Sequence, residues 1–295
     1  SFFAILLGSD NGGTTTPTDG SVTTGKIVDD AVTAAKVASS GAFAIGATGT
    51  SSSLAGIPFY RADNSIYTHD VSGTDSTAEQ NTAYGIGALD AVTTGDKNTA
   101  IGYNAGTALT EGTGYNVFVG WTAGSANTTG DFNTVLGAAA LIAATTSDNN
   151  IAIGPNAIQS SDTEAHNLAI GRDALNVVNS GGEYNVAIGN YALSSLTSSD
   201  ANVAVGYEAG KAITGGGDGV VVIGYQAGVA LTDCSSSVFI GYQAGDGHDD
   251  EDHNIGIGRH ALGGSVAGGE YNVCIGSYAG DAITSGDSNT IVGYN

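Results

Sequence analysis

The chain has 295 residues, 47 of them glycine, and its 29 acidic and 7 basic side chains give a formal net charge of −22. This imbalance argues against nucleic acid as a partner, which is held by Lys and Arg, and against anionic membranes. Charged residues make up only 12% of the chain, and with so much glycine the composition disfavours helix and is unlike an ordinary globular enzyme. We interpret the acidic surface as a means of solubility, with divalent-cation binding as the alternative.

Residues 1–20 are expected to hold an apolar strand and a Gly/Thr linker. The run from Phe2 to Leu7 is far shorter than the ~20 residues of a membrane helix, and it lacks the basic region of a signal peptide. An exposed apolar strand tends to pair with a sheet edge. We predict that it packs on its own chain or on a virion part, or else docks near Val292 of a neighbouring subunit and joins subunits end to end. The candidate assembly residues of this run are Phe2, Phe3, Ile5, Leu6 and Leu7.

Two further segments precede the repeats. Within residues 21–40, the run 22–27 is echoed ten residues later. Residues 41–80 form a transition region whose runs 57–61 and 65–69 are rich in aromatic and branched residues. We predict that these two runs form short strands leading into the first coil.

Residues 81–295 repeat one short motif thirteen times. A good copy is Asn-Thr-Ala-Ile-Gly-Tyr-Asn-Ala-Gly at residues 98–106, and its first glycine, here called the anchor glycine, recurs every 17 or 18 residues. Such fixed-period repetition is typical of a solenoid, in which each repeat is one coil that buries its apolar side by stacking on its neighbours. The anchor glycines are Gly85, Gly102, Gly120, Gly137, Gly154, Gly171, Gly189, Gly206, Gly224, Gly241, Gly258, Gly276 and Gly293.

The residues before each anchor glycine predict a β-strand with two apolar faces. The residue directly before it is large and apolar, and the residue two positions earlier is Thr or a branched aliphatic. The residue between them, which points to the opposite face, is usually a small apolar one. We therefore expect one face to line the coil and the other to be covered, most simply by identical chains around an axis. The candidate assembly residues at the small position are Ala100, Ala152, Ala169, Ala187 and Ala204.

Three residue types recur at fixed places and are expected to build the coil. The anchor glycine fits a tight turn, the Asn four residues before it could hydrogen-bond from coil to coil, and the Ala three residues after it indicates a site too tight for a larger side chain. The rest of each repeat is a polar turn. Thirteen coils at the ~4.8 Å strand spacing would extend about 60 Å. The representative structural residues are Asn98, Gly102, Ala105, Asn185, Gly189 and Ala192.

The Asn-x-Ala-Ile-Gly-x-x-Ala pattern resembles the head repeats of trimeric, YadA-like autotransporter adhesins. In its longer form with Gly-Tyr-x-Ala it is more similar to repeats of bacteriophage tail fibres. The segment 22–37 also resembles a segment common near the start of tail-fibre proteins, which favours the phage family. The resemblance implies an all-β, left-handed parallel β-solenoid (β-roll), a homotrimer, and a structural or receptor-binding role.

The stretch 246–253 is the part of the sequence richest in potential metal ligands. Its candidate metal ligands are Asp246, Asp249, Asp250 and Asp252, which could hold Ca²⁺, although their spacing matches no EF-hand and the adjacent histidines match no zinc pattern. The alternative is a solvated acidic loop. We find no pairing of nucleophile, base and carboxylate, and we predict no enzymatic activity and no required cofactor.

Aromatic residues follow the anchor glycine in six coils. They predict a partial column along one edge, which either packs ring on ring or offers a platform for sugars. These residues are Tyr103, Trp121, Tyr207, Tyr225, Tyr242 and Tyr294. The two cysteines, Cys234 and Cys274, lie about two coils apart, farther than a disulfide reaches, so we expect no bridge between them.

These features predict a non-enzymatic structural protein, most like the shaft of a phage tail fibre. We expect a homotrimer that could extend head to tail, in contact with a virion baseplate or a host surface receptor. Neither nucleic-acid binding nor membrane insertion is expected. Its location would be the virion or the extracellular space and cell surface. The alternatives are the subunit of an extracellular filament and a surface adhesin that binds a host glycan or protein.

Overall fold

The computed structural model describes residues 52–54, 57–62, 65–68, 77–112, 114–178, 181–264 and 268–295. The chain divides into two units, Ser1–Ala47 and Thr48–Asn295, and all described residues belong to the second. The predicted apolar strand, linker and segment 21–40 therefore lie outside the described residues.

The described residues form one sheet of sixteen strands and contain no helix. Two antiparallel pairs, β1 with β2 and β2 with β3, precede a parallel series that runs from β3 to β16 in chain order. The strands are β1 (Ser52–Leu54), β2 (Ile57–Ala62), β3 (Ser65–Tyr67), β4 (Thr82–Tyr84), β5 (Thr99–Ile101), β6 (Val117–Val119), β7 (Thr134–Leu136), β8 (Ile151–Ile153), β9 (Leu168–Ile170), β10 (Val186–Ile188), β11 (Val203–Val205), β12 (Val221–Ile223), β13 (Val238–Ile240), β14 (Ile255–Ile257), β15 (Val273–Ile275) and β16 (Thr290–Val292).

Strands β4 to β16 each belong to one repeat and pair in register with the same positions of the next repeat. Ala187 of β10, for example, lies opposite Ala169 of β9 and Ala204 of β11. The parallel β-solenoid of about thirteen coils is therefore confirmed for the described residues. The short strands predicted before the first coil are present as β2 and β3.

The anchor glycines make a tight turn in which a side chain is strongly disfavoured. Gly102 has φ +139°, and a Cβ there would lie 2.2 Å from the carbonyl oxygen of Gly120 in the next coil. The alanine three residues on is fully buried in the coils, as at Ala105 and Ala192. Both predictions from the repeat are confirmed, because the backbones of successive coils touch at the first position and the core leaves room only for a methyl group at the second.

The recurrent asparagines form a buried ladder, also as predicted. The backbone N–H of Asn98 donates to Oδ1 of Asn81 at 2.8 Å, and that of Asn116 donates to Oδ1 of Asn98 at 3.0 Å. Nδ2 of Asn116 donates to the carbonyl of Gly130 in the following polar turn at 2.8 Å. Asn116 thus ties its own coil to the next through both ends of its amide, as Oδ1 also accepts the backbone N–H of Asn133 at 2.9 Å.

The assignment of inner and outer strand faces differs from the prediction. The middle residue of each strand from β4 to β15 is buried inside its own coil, and the larger residues on either side of it point outward. Because they are enclosed by their own chain, these middle alanines cannot contact a second chain, and their assignment to assembly was wrong. The residues concerned are Ala100, Ala152, Ala169, Ala187 and Ala204, all 0% exposed.

Candidate functional site

The first and third residues of strands β4 to β16, here called the outward strand face, form an apolar surface along the sheet. Most are Val, Ile, Leu or Thr, and all are exposed or half-buried. Ile101 is 42% exposed, Leu136 49% and Val292 74%. A contiguous apolar surface of this extent is the kind that marks an interaction site.

Aromatic side chains flank this face on both sides. The upstream margin is the residue two positions before each strand, and the downstream margin is the residue after each anchor glycine. Upstream, Tyr115 stacks on Phe132 with ring centroids 5.3 Å apart, and both rings are about half exposed. Downstream, Trp121 is 58% exposed. The aromatic residues of the two margins therefore extend the apolar surface beyond the strands.

Carboxylates are absent from this surface. No Asp or Glu occupies the outward strand face or either margin in any of the thirteen repeats, although the chain carries a net charge of −22. Three of the few basic residues lie on the margins, where each covers a tyrosine ring. These are Lys97, 5.0 Å from the centroid of Tyr115, Arg172, 5.8 Å from that of Tyr191, and Arg259, 4.7 Å from that of Tyr278. Burying this surface would therefore not remove any carboxylate from water.

Many of the carboxylates instead lie in the polar turns, where they accept hydrogen bonds from the backbone of a neighbouring coil. The backbone N–H of Glu183 donates to Oδ1 of Asp200 at 2.8 Å, and that of Asp200 donates to Oδ1 of Asp218 at 2.8 Å. The same pattern joins Asp131 to Asp148 at 2.7 Å. Part of the acidic composition is thus explained by turns that need an acceptor for a backbone N–H.

The acidic stretch brings together a different set of carboxylates from the one predicted. Asp249, Asp250 and Glu251 have ligand atoms within 4.8 Å of one another. Asp252 instead accepts the backbone N–H of Ser235 at 2.6 Å, and Asp246 lies 3.7 Å from Nδ1 of His260.

Glu251 has a structural role in this turn. Its Oε2 accepts the N–H of Asp249 at 3.2 Å, and its Oε1 accepts that of Gly268 in the next coil at 2.9 Å. Glu164 does the same elsewhere, with Oε2 accepting from Asp162 and Oε1 from Gly181. The repulsion of Asp249 and Glu251 raises the pKa of Asp250. The turn geometry thus accounts for the position of Glu251 without a cation.

His248 belongs to the acidic stretch considered above as a metal site, but its burial was not predicted from the sequence. It is 0% exposed, its ring lies 5.1 Å from that of Phe239, and neither ring nitrogen has a hydrogen-bond partner. Equivalent places in preceding coils hold Ile213 and Leu231, which are also buried. Burial lowers the pKa of His248 to about 4, against weaker opposing effects of the Leu262 backbone and the Asp249 carboxylate. The signal in the sequence was a histidine at a position that is usually aliphatic.

Replacing His248 with Leu is expected to remove an acid sensitivity of this coil. The pKa in the folded state, about 4, lies below the ordinary 6.5, so the unfolded chain binds more protons between these values and stability falls as pH drops from 6.5 to 4. The loss amounts to about 3 kcal/mol in the wild type. Hydrogen exchange of this coil, measured from pH 7 to 4, tests it. The exposed His253→Leu control should keep the wild-type pH profile, and an unchanged profile in His248→Leu would contradict the assignment.

The predicted aromatic column is present in this part of the solenoid, but its rings stack on one another. Tyr225 lies between Tyr207 and Tyr242, with centroids 5.4 and 5.3 Å away and interplanar angles of 14° and 8°. The outer face of Tyr207 meets Tyr191 edge-on at 6.2 Å. A sugar stacks on the face of a ring, and these contacts leave mainly ring edges and hydroxyl groups exposed. The contacts favour ring packing over a face-on sugar platform in this part of the column.

The two cysteines are free and buried. Burial is the main cause that raises the pKa of Cys234, to about 12, and it also raises the pKa of Cys274. A thiol that stays protonated is a poor nucleophile and metal ligand. We therefore assign neither cysteine to a reactive site.

The proposed end-to-end contact involves residues that the structure only partly describes. The apolar run from Phe2 to Leu7 lies outside the described residues. Its predicted acceptor, β16, pairs with β15, and Val292 at its end is 74% exposed.

No protein-family model, curated protein or solved structure matches this chain. Within the part of the chain that the structure describes, no helix is long and apolar enough to span a bilayer.

Proposed function

We propose that this chain is a non-enzymatic structural protein that forms a fibre by packing its outward strand face against other copies of itself. The observation that carries the proposal is the apolar surface along thirteen coils, which has no carboxylate on a strongly acidic chain. Apolar association removes this surface from water, whereas contact through the turns would bring carboxylates together.

A second copy of the chain suits this surface in size and spacing. Thirteen strands spaced ~4.8 Å apart and about 10 Å long present roughly 600 Å², and the two margins raise this to the ~800 Å² per partner of a stable interface. Parallel copies present side chains at the same spacing along the whole contact. Cyclic packing of such copies would cover every outward face.

We further propose three copies with left-handed coils, as the resemblance to phage tail fibres and adhesin heads implies. In this proposal the assembly is the shaft of a tail fibre on a virion, in contact with a baseplate or a host receptor. Buried polar side chains support a structural role, because the asparagine ladder uses them in bonds between coils. Rods on native virions in negative-stain images would support the shaft, whereas spikes on cells would support an adhesin and endless fibres a filament subunit.

Leu136→Asp is expected to disrupt the assembly while leaving the coil folded. Leu136 is 49% exposed in the single chain, so the substitution places its charge near water until another copy covers it. Light scattering should give a multiple of the 29.0 kDa chain mass for the wild type and a lower mass for the variant.

The matched control is Thr146→Asp, which adds the same charge at an exposed turn position of the same coil. It should assemble like the wild type, and all three proteins should show the same β-rich circular dichroism. A wild-type chain that remains monomeric at micromolar concentration would refute the proposal, as would a Leu136→Asp protein that assembles normally.

A further inference from the structure

Three tyrosines in successive coils are held face to face on the surface of the solenoid. Tyr207, Tyr225 and Tyr242 each follow an anchor glycine, and their ring centroids are 5.4 and 5.3 Å apart. In the single chain the three residues are 41%, 45% and 49% exposed, so small molecules in solution reach all three when no other copy covers them. They are thus two pairs of phenols that are parallel, adjacent and accessible.

The backbone and the neighbouring side chains keep this geometry fixed. The parallel register of β11, β12 and β13 places the three positions one coil apart. Beside the rings, Nε2 of Gln226 donates to Oε2 of Glu208 at 2.7 Å, and Nε2 of Gln243 donates to Oε1 of Gln226 at 3.0 Å. The phenols therefore stay together in the folded chain and do not meet by chance encounters.

No other pair of rings in the described residues combines two phenols with this stacking. Tyr191 with Tyr207, and Tyr278 with Tyr294, meet edge-on at 84°. The other stacked pairs contain only one phenol, because each joins a tyrosine to a phenylalanine or a histidine. Tyr225 is the member common to both stacked tyrosine pairs.

We propose that Tyr225 is a site of oxidative cross-linking, which forms dityrosine with Tyr207 or Tyr242 and links neighbouring coils covalently. The oxidant is of the peroxidase class, with hydrogen peroxide as the electron acceptor. Each of two phenols loses one electron and one proton to give a phenoxyl radical. The two radicals join through a new bond between ring carbons ortho to oxygen, and the ring hydrogens return to oxygen or exchange with water. One hydrogen peroxide takes up the two electrons and two protons and becomes two waters.

Such a link would strengthen the contact between adjacent coils, on which the stability of a solenoid depends. Each coil contacts only its neighbours, so coils separate one after another when the chain unfolds. A bond between residues 17 or 18 positions apart keeps two coils adjacent in the unfolded state as well as the folded one. The inference concerns a single chain whose downstream margin is uncovered, since the proposed assembly would bury these three tyrosines.

The test treats the full-length folded chain carrying Leu136→Asp, which keeps the downstream margin uncovered, with a peroxidase and hydrogen peroxide, and the tyrosine variants are made in the same background. We expect dityrosine fluorescence, the loss of two hydrogen atoms per chain and a linked peptide that joins Tyr225 to Tyr207 or Tyr242. Tyr225→Phe keeps the ring stack but removes the shared phenol, and should lose the linked peptide entirely. Tyr191→Phe, which alters an edge-on partner, should retain it.

Three outcomes would overturn the proposal. A linked peptide that persists in Tyr225→Phe would show that other phenols couple. Links found only between chains, as dimers on a denaturing gel, would exclude a bond between coils of one chain. Equal yields of the same peptide from a chain unfolded in guanidinium would show that the stacked geometry has no part in the reaction. None of these outcomes decides whether the wild type assembles, because they are measured on the Leu136→Asp chain.

Discussion

Gly189→Ala is expected to destabilise the middle of the solenoid by several kcal/mol. The φ of Gly189 is +131°, and a Cβ would lie 2.2 Å from the carbonyl oxygen of Gly206 and 2.6 Å from its carbonyl carbon. The conformation alone costs an L-residue on the order of 1–3 kcal/mol. The clash is with backbone of the next coil, so no side chain can turn away to relieve it. Guanidinium unfolding and hydrogen exchange around β10 and β11 measure the effect.

The matched control for this prediction is Gly219→Ala. Gly219 also has positive φ, +70°, but a Cβ there meets no atom within 4 Å. Only the conformational term remains, about 1–2 kcal/mol. Equal losses in the two variants would contradict the claim that the anchor glycines are required for the close approach of successive coils.

The period of the sequence was enough to predict the fold. Each repeat buries its apolar residues against copies of itself, so the same residue types are required at the same places in every coil. The glycine, asparagine and alanine positions followed from this, and Gly102, Asn98 and Ala105 take the predicted roles. Tertiary packing did not need to be known, because the neighbour of each coil is nearly a copy of it.

The inner and outer strand faces could not be told apart by the same reasoning. Both faces are apolar, so the alternation that separates a wet face from a dry one gives no answer. The narrow coil interior, already filled by the alanine after each anchor glycine and by buried residues such as Leu193, takes small side chains such as Ala187 from most strands. The larger Val186 and Ile188 therefore lie outside, half-buried.

The surface proposed for assembly can be recognised in the sequence by its lack of acidic residues and not by its hydrophobic pattern. Asp and Glu are absent from four positions of every repeat in a chain of net charge −22. Individual residues outside the pattern, such as His248 and Glu251, were harder to interpret. Their burial depends on the direction in which a single turn side chain points. The sequence alone does not give this direction, because it does not show which atoms surround the residue.

Asn185→Val is expected to cost about 2–4 kcal/mol, because it leaves buried backbone groups without partners. Oδ1 of Asn185 accepts the N–H of Asn202 at 2.9 Å, and its Nδ2 donates to the carbonyl of Ser199 at 2.9 Å. Valine has neither an acceptor nor a donor to offer. The loss should appear as faster hydrogen exchange of the Asn202 amide and as a lower guanidinium midpoint.

The chain itself supplies the two comparisons that make this prediction specific. Ser237 occupies an asparagine position, and its Oγ accepts the N–H of Asn254 at 3.1 Å, so Asn185→Ser should retain that bond and lose less stability than Asn185→Val. Val220 occupies another such position and offers no side-chain oxygen to Ser237 in the next coil. Val220→Asn should therefore stabilise its coil, since the new Oδ1 would face the backbone N–H of Ser237. If Asn185→Val and Asn185→Ser lost the same stability, the ladder would owe its effect to amide packing and not to the bonds between coils.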